Sequence, residues 1–141
     1  MPWQQTVESL MTRDVITTPE SEPLVTAMET MAEQHVRHVV ATDDDGKLSG
    51  ILSNRDVARA TLLNPERKLD LYGITVGQVM TKDPITVAAN APLADAARLM
   101  LENRINALPA LDGDGGLAGI LTSDDLLYAL IQAAPPRSPQ L

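Results

Sequence analysis

The strongest constraint on this chain is that it contains itself twice. Gly50-Ile51-Leu52-Ser53-Asn54-Arg55-Asp56 returns as Gly119-Ile120-Leu121-Thr122-Ser123-Asp124-Asp125. Held at the same offset without a gap, Met11-Thr12 meets Met80-Thr81 and Ile16-Thr17 meets Ile85-Thr86. Pro23-Leu24 meets Pro92-Leu93, and Asp43-x-Asp45-Gly46 meets Asp112-x-Asp114-Gly115. Roughly 20 of about 52 aligned positions are identical, which marks an internal repeat. The period is too long for a solenoid, so one small domain is duplicated rather than arrayed. A single copy of about 60 residues buries a marginal core, and two copies packed together bury a better one.

Within each copy the pattern predicts strand, helix, strand, strand, helix. Residues 5–12 suggest a short helical turn and Asp14–Thr18 an extended segment ended by Pro19. Pro23 suits the first turn of a helix. Leu24, Ala27, Met28, Met31 and Ala32 follow at helical spacing, as do Leu93, Ala96, Ala97, Met100 and Leu101 in the second copy. Arg37–Thr42 and Ala107–Leu111 read as strands. Asp- and Gly-rich hairpin turns then lead to strands at Leu48–Leu52 and Leu117–Leu121. Helices over 54–63 and 123–133 close the copies. The predicted organisation is therefore repeat 1 over 5–63, a polar linker over 64–73, repeat 2 over 74–133, and a disordered Pro-rich tail over 134–141.

Composition excludes several function classes. The 141 residues contain no cysteine, so there is no disulfide framework and no thiolate metal site or nucleophile. No EF-hand spacing surrounds Asp43–Asp45, and two histidines do not make a zinc site; no metal is expected. No P-loop or nucleophile–base pair is present, so no catalysis is expected. A formal net charge of −8 disfavours nucleic acid and anionic membranes as partners. The start lacks a signal peptide, and no apolar run approaches a membrane span, which fits a cytoplasmic protein.

The order, spacing and duplication of these motifs resemble the cystathionine-β-synthase (CBS) domain family. The resemblance rests on Ile16-Thr17, Arg37-His38-Val39-Val40, Asp45-Gly46 and Gly50–Asp56. Ile85-Thr86, Ala107-Leu108-Pro109-Ala110, Asp114-Gly115 and Gly119–Asp125 repeat it. It implies an α+β tandem CBS pair, two β-α-β-β-α repeats packed through their sheets about a pseudo-twofold axis. It also implies clefts for an adenosine-type ligand, AMP, ADP or ATP first, with S-adenosylmethionine and NAD behind them. No covalent cofactor is implied. One cleft would use Ser53, Asp56 and Thr86, the other Thr122, Asp125 and Thr17. Such pairs commonly form homodimers through their helices, and with no effector domain in the chain any output would act in trans on a partner protein.

The residues themselves allow two readings. A carboxylate at a helix start suits a ribose diol, and the helix N-terminus suits a phosphate. Yet Ser53-x-x-Asp56 and Thr122-x-x-Asp125 also have the form of a capping box. The copies differ in charge: Arg55 and Arg59 flank Asp56, with Arg37 and His38 on the neighbouring strand, whereas Asp124 flanks Asp125. Like charge there opposes a phosphate, which favours the Asp56 copy as the nucleotide site. If no ligand binds, the chain is a structural or dimerisation module.

Overall fold

The structure is a computed structural model that describes residues 4–63 and 72–135. Most of the expected linker, the last residues of the expected tail, and Trp3 lie outside the described residues. The chain is α+β and forms two compact units, Asp14–Ile85 and Met1–Arg13 with Thr86–Leu141.

In the unit Asp14–Ile85, β1 (Thr17–Pro19), α1 (Leu24–Gln34), β2 (His38–Thr42), β3 (Leu48–Ser53) and α2 (Asn54–Leu63) follow the predicted order. Two further elements come from the start of the second repeat: α3 (Val76–Val79) and β4 (Thr81–Lys82). The sheet order is β1-β2-β3-β4, with β1 parallel to β2 and the other pairs antiparallel. Pro19 is the last residue of β1 rather than its stop; β1 is an edge strand, where a missing N–H is tolerated. Helix α1 begins after Pro23 and ends at His35, which takes the left-handed conformation (φ 56°). The Val36 N–H closes that end on the Met31 carbonyl at 3.0 Å.

The unit containing Thr86–Leu141 repeats the plan with β5 (Val87–Ala88), α4 (Leu93–Asn103), β6 (Ala107–Leu111), β7 (Leu117–Thr122) and α5 (Ser123–Ala133). Its β5 is parallel to β6, and β6 is antiparallel to β7. The segment before residue 14 joins this unit. The predicted helical turn is a 3-10 turn at Val7–Ser9, and Thr12 forms an antiparallel bridge to Ile120. That bridge is the counterpart of Thr81 on Ile51 in the other unit. The sequence repeats and the compact units therefore do not coincide. Each unit completes itself with the opening segment of the other copy.

Both cores are built from equivalent positions. Leu24, Ala27, Met31, Val39, Ala41, Leu52 and Val76 form one. Leu93, Ala96, Met100, Leu108, Ala110, Leu121 and Val7 occupy the same places in the other, which also takes in Met11, Val87 and Ala89. The helical stripes are narrower than their sequence spacing suggests. Ala32 is exposed, and Leu101 is 80% exposed.

Gly50 and Gly119 explain how the borrowed segment fits. A Cβ on Gly119 would lie 2.6 Å from Met11 Sδ and 2.7 Å from the Thr12 carbonyl oxygen. On Gly50 it would lie 2.5 Å from Met80 Sδ and 2.8 Å from the Thr81 carbonyl oxygen. The space beside each of these glycines is filled by a methionine side chain and the backbone of the threonine that follows it.

Candidate functional site

In the unit Asp14–Ile85, β2 begins where β3 ends, and α2 starts there. His38 stands opposite Ser53 in the sheet register. The Asn54 N–H donates to the Arg37 carbonyl at 3.1 Å, which pins the start of α2 to the start of β2. Ser53, Arg55, Asp56, Arg37 and His38 are thus brought to one end of the sheet by backbone pairing. Arg55 and Arg37 are exposed; Ser53, Asp56 and His38 are half-buried. Thr17 lies on β1 in this same unit, exposed and in register with Val40.

Ser53 and Asp56 form a reciprocal capping pair. The Ser53 N–H donates to Asp56 Oδ2 at 2.9 Å, and the Asp56 N–H donates to Ser53 Oγ at 3.1 Å. Two backbone donors left without partners at the helix start are satisfied in this way. The other carboxylate oxygen is also engaged: Thr81 Oγ1 donates to Asp56 Oδ1 at 3.2 Å. Thr81 is not among the residues the sequence reading assigns to the site. Its signal lies in the repeat, where Met80-Thr81 matches Met11-Thr12, but repetition alone does not say which copy the segment packs against.

The second motif sits at the junction of β7 and α5, where Thr122 and Asp125 form a capping box. The Thr122 N–H and Oγ1 both reach Asp125 Oδ2, at 2.8 and 3.1 Å. Among the described residues no counterpart of the Thr81 bond reaches Asp125. Asp124 is exposed in the first turn of this helix. Thr86, half-buried, begins the second segment of this unit and so belongs to the body that holds Asp125.

The Asp-rich turns are accounted for by turn chemistry. Asp43 Oδ1 accepts the N–H groups of Asp45 and Lys47 at 2.9 and 3.0 Å, and Asp112 Oδ1 those of Asp114 and Gly116 at 2.9 Å each. Among the described residues no helix is long and apolar enough to cross a membrane.

A duplicated parallel-then-antiparallel sheet whose last strand runs into a capped helix defines a class, and the comparisons agree with it. The model of the CBS domain matches residues 7–62 and 76–132, and the chain belongs to the CBS domain family as a tandem pair. A CBS domain-containing protein of Dictyostelium discoideum is 31% identical over 140 residues, covering 95% of this chain and 97% of that protein. The crystal structure of CBSX2 of Arabidopsis thaliana in complex with AMP is 36% identical. It superposes with a TM-score of 0.76 over 90% of this chain and 96% of that one. This chain spans 54% of the full plant sequence. A CBS domain pair solved with 5′-methylthioadenosine and S-adenosyl-L-methionine is 25% identical, with a TM-score of 0.77 over 89% of this chain and 99% of that one.

Proposed function

We propose that this CBS pair is a non-enzymatic regulatory module that binds an adenosine nucleotide, AMP, ADP or ATP, and signals in trans to an effector protein in the cytoplasm. The observation that carries this reading is the half-buried Asp56 carboxylate, held at a helix start beside Arg37, His38, Ser53 and Arg55, in a chain 36% identical to a protein solved with AMP. Asp56 would accept the ribose hydroxyls. The first turn of α2 offers N–H groups and the positive end of its dipole to a phosphate, with Arg55 and Arg37 supplying local positive charge in an acidic protein. Thr17, Thr86, Thr122 and Asp125 complete the proposed ligand residues, and the Asp125 copy suits a less anionic ligand because Asp124 stands next to it.

A homodimer belongs to this proposal. Leu127, Tyr128, Leu130 and Ile131 on α5 are between 57% and 70% exposed and give a second copy an apolar helix face to cover.

Titration calorimetry with AMP, ADP and ATP on the wild type, Asp56→Ala and Asp125→Ala tests the ligand. The expected result is a nucleotide isotherm that Asp56→Ala removes and Asp125→Ala leaves largely in place. No heat with any of them at millimolar concentration would sink the proposal. One observation favours a second reading, a dimerisation module without ligand: both motifs are capping boxes, so cap formation alone accounts for their residue types. Under that reading the two alanine variants only melt earlier.

A further inference from the structure

Asp56 and Asp125 occupy equivalent places, yet their hydrogen bonds are distributed differently over the two carboxylate oxygens. An ionised carboxylate has about four acceptor positions, two on each oxygen. Asp56 uses one on each: Oδ2 for the Ser53 N–H and Oδ1 for the Thr81 hydroxyl. Among the described residues one acceptor position on each oxygen is left, which is what a vicinal diol needs to bind both hydroxyls at once. Asp125 spends two positions on Oδ2, for the Thr122 N–H and the Thr122 hydroxyl, so a diol would be left with Oδ1. The hydroxyls differ as well. Ser53 Oγ and Thr122 Oγ1 each accept the N–H three residues on, and Thr122 Oγ1 also gives its proton to Asp125.

Rotation of an Asp carboxyl about its last torsion is broad and roughly twofold, so one bonded oxygen leaves the plane of the group loosely set. Donors on both oxygens fix that plane. We infer that Thr81 is a positioning residue for the ligand site. It holds Asp56 Oδ1 while Ser53 holds Oδ2, and so presents the carboxylate to a ribose diol as a preset, two-pronged acceptor. The inference rests on the adenosine reading above and adds a residue that the motif itself does not contain. Thr81 is exposed and lies on β4, paired with Ile51 on the strand that leads to Ser53. Its hydroxyl therefore ties the start of α2 to the segment that enters this unit from the second repeat.

The test is calorimetric titration of the full chain with AMP, comparing the wild type, Thr81→Val, Thr81→Ser and Thr12→Val; the component read is the one that Asp56→Ala abolishes. Valine keeps the branched shape and strand preference of threonine and removes only the hydroxyl. Thr81→Val should weaken that component about tenfold, the order expected for a lost bond to a charged group. Thr81→Ser should stay within about twofold of the wild type, and Thr12→Val, the equivalent position in the other unit, should leave it unchanged. Wild-type binding that Thr81→Val does not alter overturns this inference and leaves the nucleotide reading standing. Equal weakening by Thr12→Val also overturns it, because the effect is then general destabilisation. No heat from the wild type overturns the nucleotide reading, and this inference with it.

Discussion

Replacing Gly119 by alanine puts a methyl group where the borrowed N-terminal segment already lies. The added Cβ would stand 2.6 Å from Met11 Sδ, 2.8 Å from Met11 Cγ and 2.7 Å from the Thr12 carbonyl oxygen. The methionine tail can swing away, but the carbonyl cannot. Thr12 and Ile120 exchange two backbone hydrogen bonds of 2.9 Å, and moving the carbonyl stretches both. Overpacking of this kind costs about 1–3 kcal/mol, and the upper half of that range is expected because backbone, not side chain, must yield. Gly113 is the matched control. A Cβ there meets nothing within 4 Å, and its φ is not positive, so alanine should stabilise by about 0.4–1 kcal/mol through the unfolded chain. Urea unfolding of the wild type and both variants separates the two effects by the sign of the midpoint shift. If Gly119→Ala and Gly113→Ala shift the midpoint alike, the close approach of the Met11-Thr12 segment is wrong.

Arg104 ends α4 in the left-handed conformation (φ 54°) with an exposed side chain, so Arg104→Gly should raise stability by about 1 kcal/mol in the same assay. Thr18 is 8% exposed and its hydroxyl has only a 3.4 Å bond to the Pro19 carbonyl, while its counterpart in the other unit is Val87; Thr18→Val should stabilise by about 1 kcal/mol. Asp56→Ala should cost about 0.5–2 kcal/mol as a lost cap, read by thermal unfolding without ligand. A fragment of residues 14–85 carries Val76, Met80 and β4 with the core they cover, whereas residues 5–63 lack them. The first should show the more dispersed amide NMR spectrum, and equal spectra would contradict the exchange of segments.

The order of strands and helices was legible because hydrophobic spacing and turn residues are local signals. Leu24, Ala27 and Met31 reached the core as their spacing implied, and the Asp turns closed on their own carboxylates. Ala32 and Leu101 failed because spacing sets a stripe's direction and not its width: both are exposed while Met31 and Met100 beside them are buried. The partnership of residues 5–13 with the second copy had no local signal at all. Two segments that share the Thr-Val and Met-Thr pairs fit either copy as sequence, and the choice is made by long-range pairing. The same blindness hid the bond from Thr81 to Asp56, which follows from the unit that β4 joins. Within the site, the Ser53–Asp56 pair was readable as spacing, but its distribution over two oxygens needed coordinates.

What the duplication preserved and what it let go are different parts of the surface. Across the seven equivalent core positions the residue classes match, Leu24 with Leu93, Ala27 with Ala96 and Leu52 with Leu121 among them. Packing density makes each of these positions dependent on its neighbours, so a change at one strains several. On the exposed face of the last helix of each repeat that dependence is absent and the copies part. Ala58, Arg59 and Thr61 are exposed on α2, where α5 exposes Leu127, Tyr128 and Leu130. Arg55 follows the capping serine region in one copy, and Asp124 takes its place in the other. One copy has thus become the more positive around its carboxylate, and the other the more apolar on its outer helix. A chain built from two equal halves would have no physical reason to bind a nucleotide at one and a protein at the other; these substitutions supply one, and under the proposed function they would direct the ligand to the Asp56 end and the protein contact to α5.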